Sequence, residues 1–290
     1  MNLKIASHYL LVLLILIGLA ALGIYRSGQL DHIVMLAVVS ALWLGCVWIA
    51  LKKPQWSWFA VLLFLLSWGI FPLMTYIVKY VYQWSADELL HSIDQQIWGG
   101  KILPAYFHYE AHPIFSDLIS ACYFMFYFLV LGSVIYFALK MKQAVGQVFF
   151  NGLILLYLLG FIGYLLLPAA GPAFTVLPQQ GGGGALTQMI TTTVNAGVTG
   201  MDVFPSLHTA ISIYIVGYLW HSGLRKLSLA LLPIIMGTIF ATVFLRYHYG
   251  IDVLLGMAIG FYVLKRSHAD LAEYREQSLA SASLAKPPFL

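Results

Sequence analysis

Long apolar stretches recur along this chain, and they leave little choice of architecture. A helix needs about 20 apolar residues to cross a bilayer. Eight such stretches are read here, at 9–25, 32–51, 57–80, 114–139, 147–168, 204–221, 227–245 and 247–264. Only 9% of residues are charged and 61% are apolar, whereas a soluble domain usually carries about 25% charged residues. Too little charge exists to cover a globule, so the natural solvent is lipid. Trp and Tyr often stand near the ends of the apolar runs, as interfacial belts require. The expected fold is all-α, a polytopic membrane protein with about eight transmembrane helices. The first stretch follows Lys4 and has the length of a signal peptide. It lacks a small-residue cleavage pattern and seven spans follow, so it reads as an uncleaved helix.

Lys and Arg set the sides. With a cytoplasmic N-terminus, the inside segments hold Lys4, Lys52, Lys53, Lys140, Lys142, Arg225, Lys226, Lys265, Arg266, Arg275 and Lys286. The outside segments hold Arg26, Lys79, Lys101 and Arg246. Both termini are then cytoplasmic, in a multi-pass protein expected in a bacterial inner membrane. Segment 169–203 has no Lys or Arg and is external. With Gly181 to Gly184 and several Thr, it reads as a flexible loop. Segment 82–113, mixed polar and aromatic, reads as an interfacial element along the outer leaflet. The expected organisation is an N-terminal transmembrane hairpin over 1–55, a membrane-embedded core over 56–266 and a short cytoplasmic tail over 267–290.

The net charge of +4 comes from scattered loops and is no nucleic-acid footprint. Cys46 and Cys122 sit inside apolar runs and read as small buried hydrophobes, not as a disulfide.

Two motifs carry the chemistry. The first is Phe204-Pro205-Ser206-Leu207-His208, and the second runs from Arg246 through His248 and Tyr249 to Asp252. Charge counting places both at external turns. His248 and Asp252 are four apart, which is one helical turn, so their side chains share a face. A carboxylate there can hold the imidazole Nδ1 proton and leave Nε2 basic. An imidazole so held can attack phosphorus and form a phosphohistidine. His208 can protonate the leaving oxygen, and Arg246 can neutralise phosphoryl oxygens. Pro205 suits a first helical turn, after which Ser206 and nearby amides can cradle an anion.

Plainer roles compete with these. A lone membrane histidine often serves a helix–helix hydrogen bond, although intramembrane ionisable groups lean functional. Arg246 can be a snorkelling anchor, Asp202 a helix-start residue and Ser206 a simple cap. His208, His248 and Asp252 can also be written as a two-His, one-carboxylate metal site, but the adjacent Arg246 would repel the ion. His108 and His112 fall in the aromatic segment and read as surface or rim residues.

The two motifs resemble the second and third signatures of the type 2 phosphatidic acid phosphatase superfamily, which includes vanadium haloperoxidases. Pro-Ser-Leu-His at 205–208 and His-Tyr-x-x-Asp at 248–252 are most similar to its inositol phosphorylceramide synthase-like branch. Weaker likenesses lie in the stretch from Tyr164 to Pro172, and in Ile93-Asp94 followed by Trp98-Gly99 and Pro104. The resemblance implies a six-helix phosphatase-like core without metal or cofactor. It implies His248 as nucleophile, Asp252 as its partner and His208 as acid, with Arg246, Ser206, Tyr249 and Asp202 binding the phosphate or substrate. Two departures stand out. No Lys has an Arg seven positions later, so the first signature is absent, and Thr242 occupies the place where the third signature usually has its Arg.

With so few cations, a singly charged phosphodiester suits the site better than a phosphomonoester. The expected partners are a phospholipid or polyprenyl-phosphate substrate and membrane lipids. The expected activity is lipid head-group phosphotransfer through a phosphohistidine. Plain hydrolysis of a lipid phosphate or pyrophosphate is the alternative, and a non-catalytic transporter is a more distant one.

Overall fold

The computed structural model describes residues 3–28, 32–53, 56–179 and 181–284, with side chains described through residue 277. Lys286 and the Pro-Pro end of the tail lie outside the described residues. Ten α-helices and three short 3-10 turns make up the regular structure among the described residues. They are α1 (Leu3–Ser27), α2 (Ile33–Lys52), α3 (Phe59–Tyr80), α4 (Asp87–Ile97), α5 (Pro113–Ala138), α6 (Ala144–Leu166), α7 (Ala185–Gly197), α8 (Leu207–His221), α9 (Arg225–Phe244) and α10 (Gly250–Leu284).

Six of these are long and apolar enough to cross a membrane: α1, α2, α3, α5, α6 and α9. The chain is thus an all-helical, polytopic membrane protein. The other two expected spans differ in kind. α8 has 15 residues, or about 22 Å of helix, short of a full hydrocarbon core. α10 is apolar in its first half and then continues unbroken as a polar helix to Leu284. No helix boundary falls near residue 266, where a separate tail was expected.

The interior is organised around α6 and α8. α6 buries the largest share of its apolar window of any candidate span, and α2 the smallest. α8 packs against α10, α9, α6 and α5, while α1 and α3 close the opposite flank of α6. Close approach of α10 to α8 depends on a Gly-x-x-x-Gly pair. A Cβ on Gly256 would stand 2.6 Å from the Ser206 carbonyl, and one on Gly260 would stand 2.8 Å from that of Ala210. Small residues four apart let membrane helices meet at backbone distance.

Segment 169–203 is not a plain loop, because it contains α7. Thr-rich sequence has modest helix propensity, but α5 supplies the missing caps. Asp117 accepts from Thr187 N at 2.8 Å, and Ser116 accepts from Gly184 N at 3.0 Å. α7 packs along α5.

Candidate active site

His208 is the second residue of α8. Ser206 is the N-cap, and its hydroxyl oxygen accepts from Thr209 N at 3.3 Å and from the Thr209 hydroxyl at 3.1 Å. This is ordinary serine capping, and Pro205 stands outside the helix rather than in its first turn. The His208 ring lies among aromatics of α5. It stacks on Tyr123 at 5.2 Å and meets Phe126 at 4.6 Å between centroids.

His248 lies in the five-residue turn between α9 and α10. The turn is made by Arg246, the one non-glycine residue with positive φ (68°) among the described residues. Glycine usually fills this left-handed position after a helix. The reversal sends Tyr247 N and His248 N back to one acceptor, the Thr242 carbonyl, at 2.9 and 3.0 Å. Asp252 enters from the first turn of α10 and accepts from Tyr249 N at 2.8 Å. An acidic side chain at N3 reaching back to the capping amide is the carboxylate half of a capping box. The same oxygen stands 3.5 Å from His248 Nδ1, both groups buried.

These elements bring the two imidazoles together. The His208 and His248 rings are 5.9 Å apart between centroids and inclined at 66°. Both line a cavity of about 440 Å³, along with Asp202, Tyr127 and Tyr247, under residues such as Met189 and Val194 of α7. Among the described residues lining it there is no Lys or Arg. Asp202 lies in the segment before α8 and accepts from the Thr199 hydroxyl at 2.6 Å. Burial raises its carboxyl above the usual value, with the Thr199 hydrogen bond opposing. Among the described residues no three His, Cys, Asp or Glu side chains converge to hold a metal ion.

Of the seven residues singled out in the sequence, three reach the cavity: His208, His248 and Asp202. Asp252 lies directly behind His248. Arg246, Ser206 and Tyr249 are not among the cavity-lining residues. The Arg246 guanidinium runs to Glu110 at 2.7 Å, lies over the Tyr109 ring at 5.0 Å and donates to the Pro178 carbonyl at 3.2 Å. Tyr249 is fully buried, its phenol on Asp87. His108 and His112 are exposed.

Of the two buried carboxylates of α4, sequence reasoning missed Asp87 and quoted Asp94 only within a weak likeness. Asp87 accepts from Ala170 N at 2.8 Å, Gly171 N at 2.9 Å and the Tyr249 hydroxyl at 3.0 Å. Asp94, fully buried, accepts from Trp98 Nε1 at 3.0 Å and from Leu103 N and Ile251 N at 2.8 Å. α4 thus clamps the segment after α6 with one carboxylate and the start of α10 with the other. The available signal was spacing: Asp87, Leu90 and Asp94 share the helix face that turns inward, an odd place for two acids unless backbone amides meet them. Gly171 is needed at its clamp, because its φ is 95° and a Cβ would collide with the Tyr247 carbonyl.

A family model described as the PAP2 superfamily matches residues 88–265, from the start of α4 into α10. No curated protein and no solved structure matches the chain.

Proposed function

The chain belongs to the PAP2 superfamily, and on that premise we propose that it transfers a phosphoryl-linked head group from a membrane lipid through a phosphohistidine on His248. Lipid phosphatase or phosphotransferase chemistry is what the family membership suggests. The finer reading rests on one observation above all, two imidazoles 5.9 Å apart facing one cavity.

In this reading His248 attacks phosphorus through Nε2, while Asp252 steadies Nδ1 from behind. His208 gives a proton to the leaving oxygen and then recovers one from the acceptor. Asp202, at the cavity wall, favours the cationic form of a nearby imidazole as charge develops. The absence of Lys and Arg among the described lining residues favours a singly charged diester donor over a phosphomonoester. Pro-Ser-Leu-His at 205–208 is the reason to place the chain in the inositol phosphorylceramide synthase-like branch. A site on the extracytoplasmic face is supported by the Lys and Arg distribution.

The test is a product assay on purified protein against a panel of phospholipids and polyprenyl phosphates, wild type beside His248→Ala. Turnover should vanish in the variant, and acid-labile phosphate should be trapped only on the wild type. Equal turnover in both would end the histidine mechanism. Hydrolysis is the second reading. It would be favoured if an added hydroxyl acceptor changed no product.

A further inference from the structure

Behind the wall that carries His208 lies a second cavity, of about 300 Å³. The two cavities share Tyr127, Asp202 and His208. Apart from these and the phenols of Tyr157 and Tyr164, the inner chamber is hydrocarbon and aromatic, walled by α3, α5, α6 and α8. Its size falls at the low end for ligand pockets, about 300–1,000 Å³.

Its mouth shows which phase fills it. Trp68 and Pro72 line the rim and are exposed, Trp68 by 45% with its indole N–H on the Tyr157 hydroxyl at 2.9 Å. They are the tenth and fourteenth of the 22 residues of α3, the middle of a membrane-length helix. An opening at that depth meets acyl chains and not water. The ionisable groups that line it, Asp202 and His208, are ones it shares with the outer cavity. α3 lies outside residues 88–265, which the family model matches, so the chamber is walled partly by an element that the family match does not cover.

We propose that the inner chamber is the acceptor subsite. It takes the hydrocarbon chain of a membrane lipid alcohol through the gap at Trp68 and Pro72, and presents the hydroxyl to His208 while the donor occupies the outer cavity. The proposal rests on the phosphohistidine reading for its chemistry. The hydroxyl oxygen forms the new P–O bond as the P–N bond to His248 breaks, and that electron pair returns to the imidazole. The hydroxyl proton passes to His208, replacing the one given to the first leaving group.

Two measurements on the full-length protein test it. Val130 is buried and lines the inner chamber but not the outer cavity, so Val130→Trp fills the chamber alone. Transfer to a long-chain alcohol should fall at least about tenfold, while release of the donor head group to water persists. Unchanged transfer, or equal loss of both reactions, would overturn the proposal. The second measurement is photolabelling of wild-type protein with a long-chain primary alcohol bearing a mid-chain diazirine. Adducts should map to Phe71, Val130 or Ile211, and adducts confined to the outer surface of α2 would overturn the proposal whether or not the tryptophan variant folds. His248→Ala protein should still take the label, so loss of its turnover and loss of labelling report on separate ideas.

Discussion

The Tyr249 phenol donates to Asp87 Oδ1 at 3.0 Å, joining residues 162 positions apart in the chain. The contact links the turn that carries His248 to α4, and through Asp87 to the amides of Ala170 and Gly171. A tyrosine next to the proposed nucleophile therefore acts on the frame and faces away from the cavity. Asp94 makes a parallel tie by accepting from Ile251 N. The position of His248 is thus set jointly by α9, α10 and a helix that lies far upstream.

Tyr249→Phe should remove one hydrogen bond to a buried carboxylate and cost about 1.5–3 kcal/mol. Asp87→Ala should cost more, because it also strands two buried backbone amides. Thermal unfolding in detergent measures both. Equal, small effects would mean that α4 is no clamp.

Asp202 gives a pH-dependent outcome. Burial raises its carboxyl above the ordinary 3.8, so the folded protein holds this proton more tightly than the unfolded chain. The stabilisation is full below the unfolded value and is lost as pH rises through the folded one. At neutral pH the ionised group is then a cost to folding, of the kind functional sites tolerate. Asp202→Asn can still accept from Thr199, so it should melt at a higher temperature than wild type at neutral pH and turn over more slowly. The stability gap should close as pH falls toward about 4, and a gap independent of pH would contradict this account.

Arg246 and Glu110 form a largely buried pair. Removing either partner should cost about 3 kcal/mol, and the double alanine variant should cost less than the sum. Melting curves supply the cycle. Michaelis constants add a second readout, because a rise in KM confined to Arg246→Ala would put the guanidinium on the substrate, while matching values in both variants would confine it to the scaffold.

Gly256→Ala places a methyl against the Ser206 carbonyl, which is backbone and cannot swing aside. Overpacking of this sort costs about 1–3 kcal/mol, and here it pushes on the cap of the helix that carries His208. Turnover should fall along with stability. Gly45→Ala on α2, where nothing stands within 4 Å, is the control and should be neutral or stabilising by up to about 1 kcal/mol.

How much of this could be read from sequence follows from the range of each interaction. Six of the eight apolar runs correspond to helices long and apolar enough to span a membrane, because length and hydropathy are local properties. The meeting of His208 with His248 was legible because both stand at helix starts on one side of the bundle. The course of the Arg246 side chain was not, since it is fixed by a left-handed turn and by Glu110, over a hundred residues away. α7 was hidden because its caps, Ser116 and Asp117, belong to another helix. The clamping role of the α4 carboxylates was not legible, because the amides of 170, 171 and 251 that meet them come from distant segments.

α10 begins two residues after His248 and runs 35 residues without a break, about 52 Å of helix against a hydrocarbon core of about 30 Å. It is therefore a measuring rod fixed to the turn that carries His248. With α10 crossing the bilayer, as the apolar run at 247–264 leads one to expect, a probe attached near Arg275 would sit on the face of the membrane opposite His248. A side-selective label there would reveal, without any substrate in hand, on which face of the membrane the chemistry takes place.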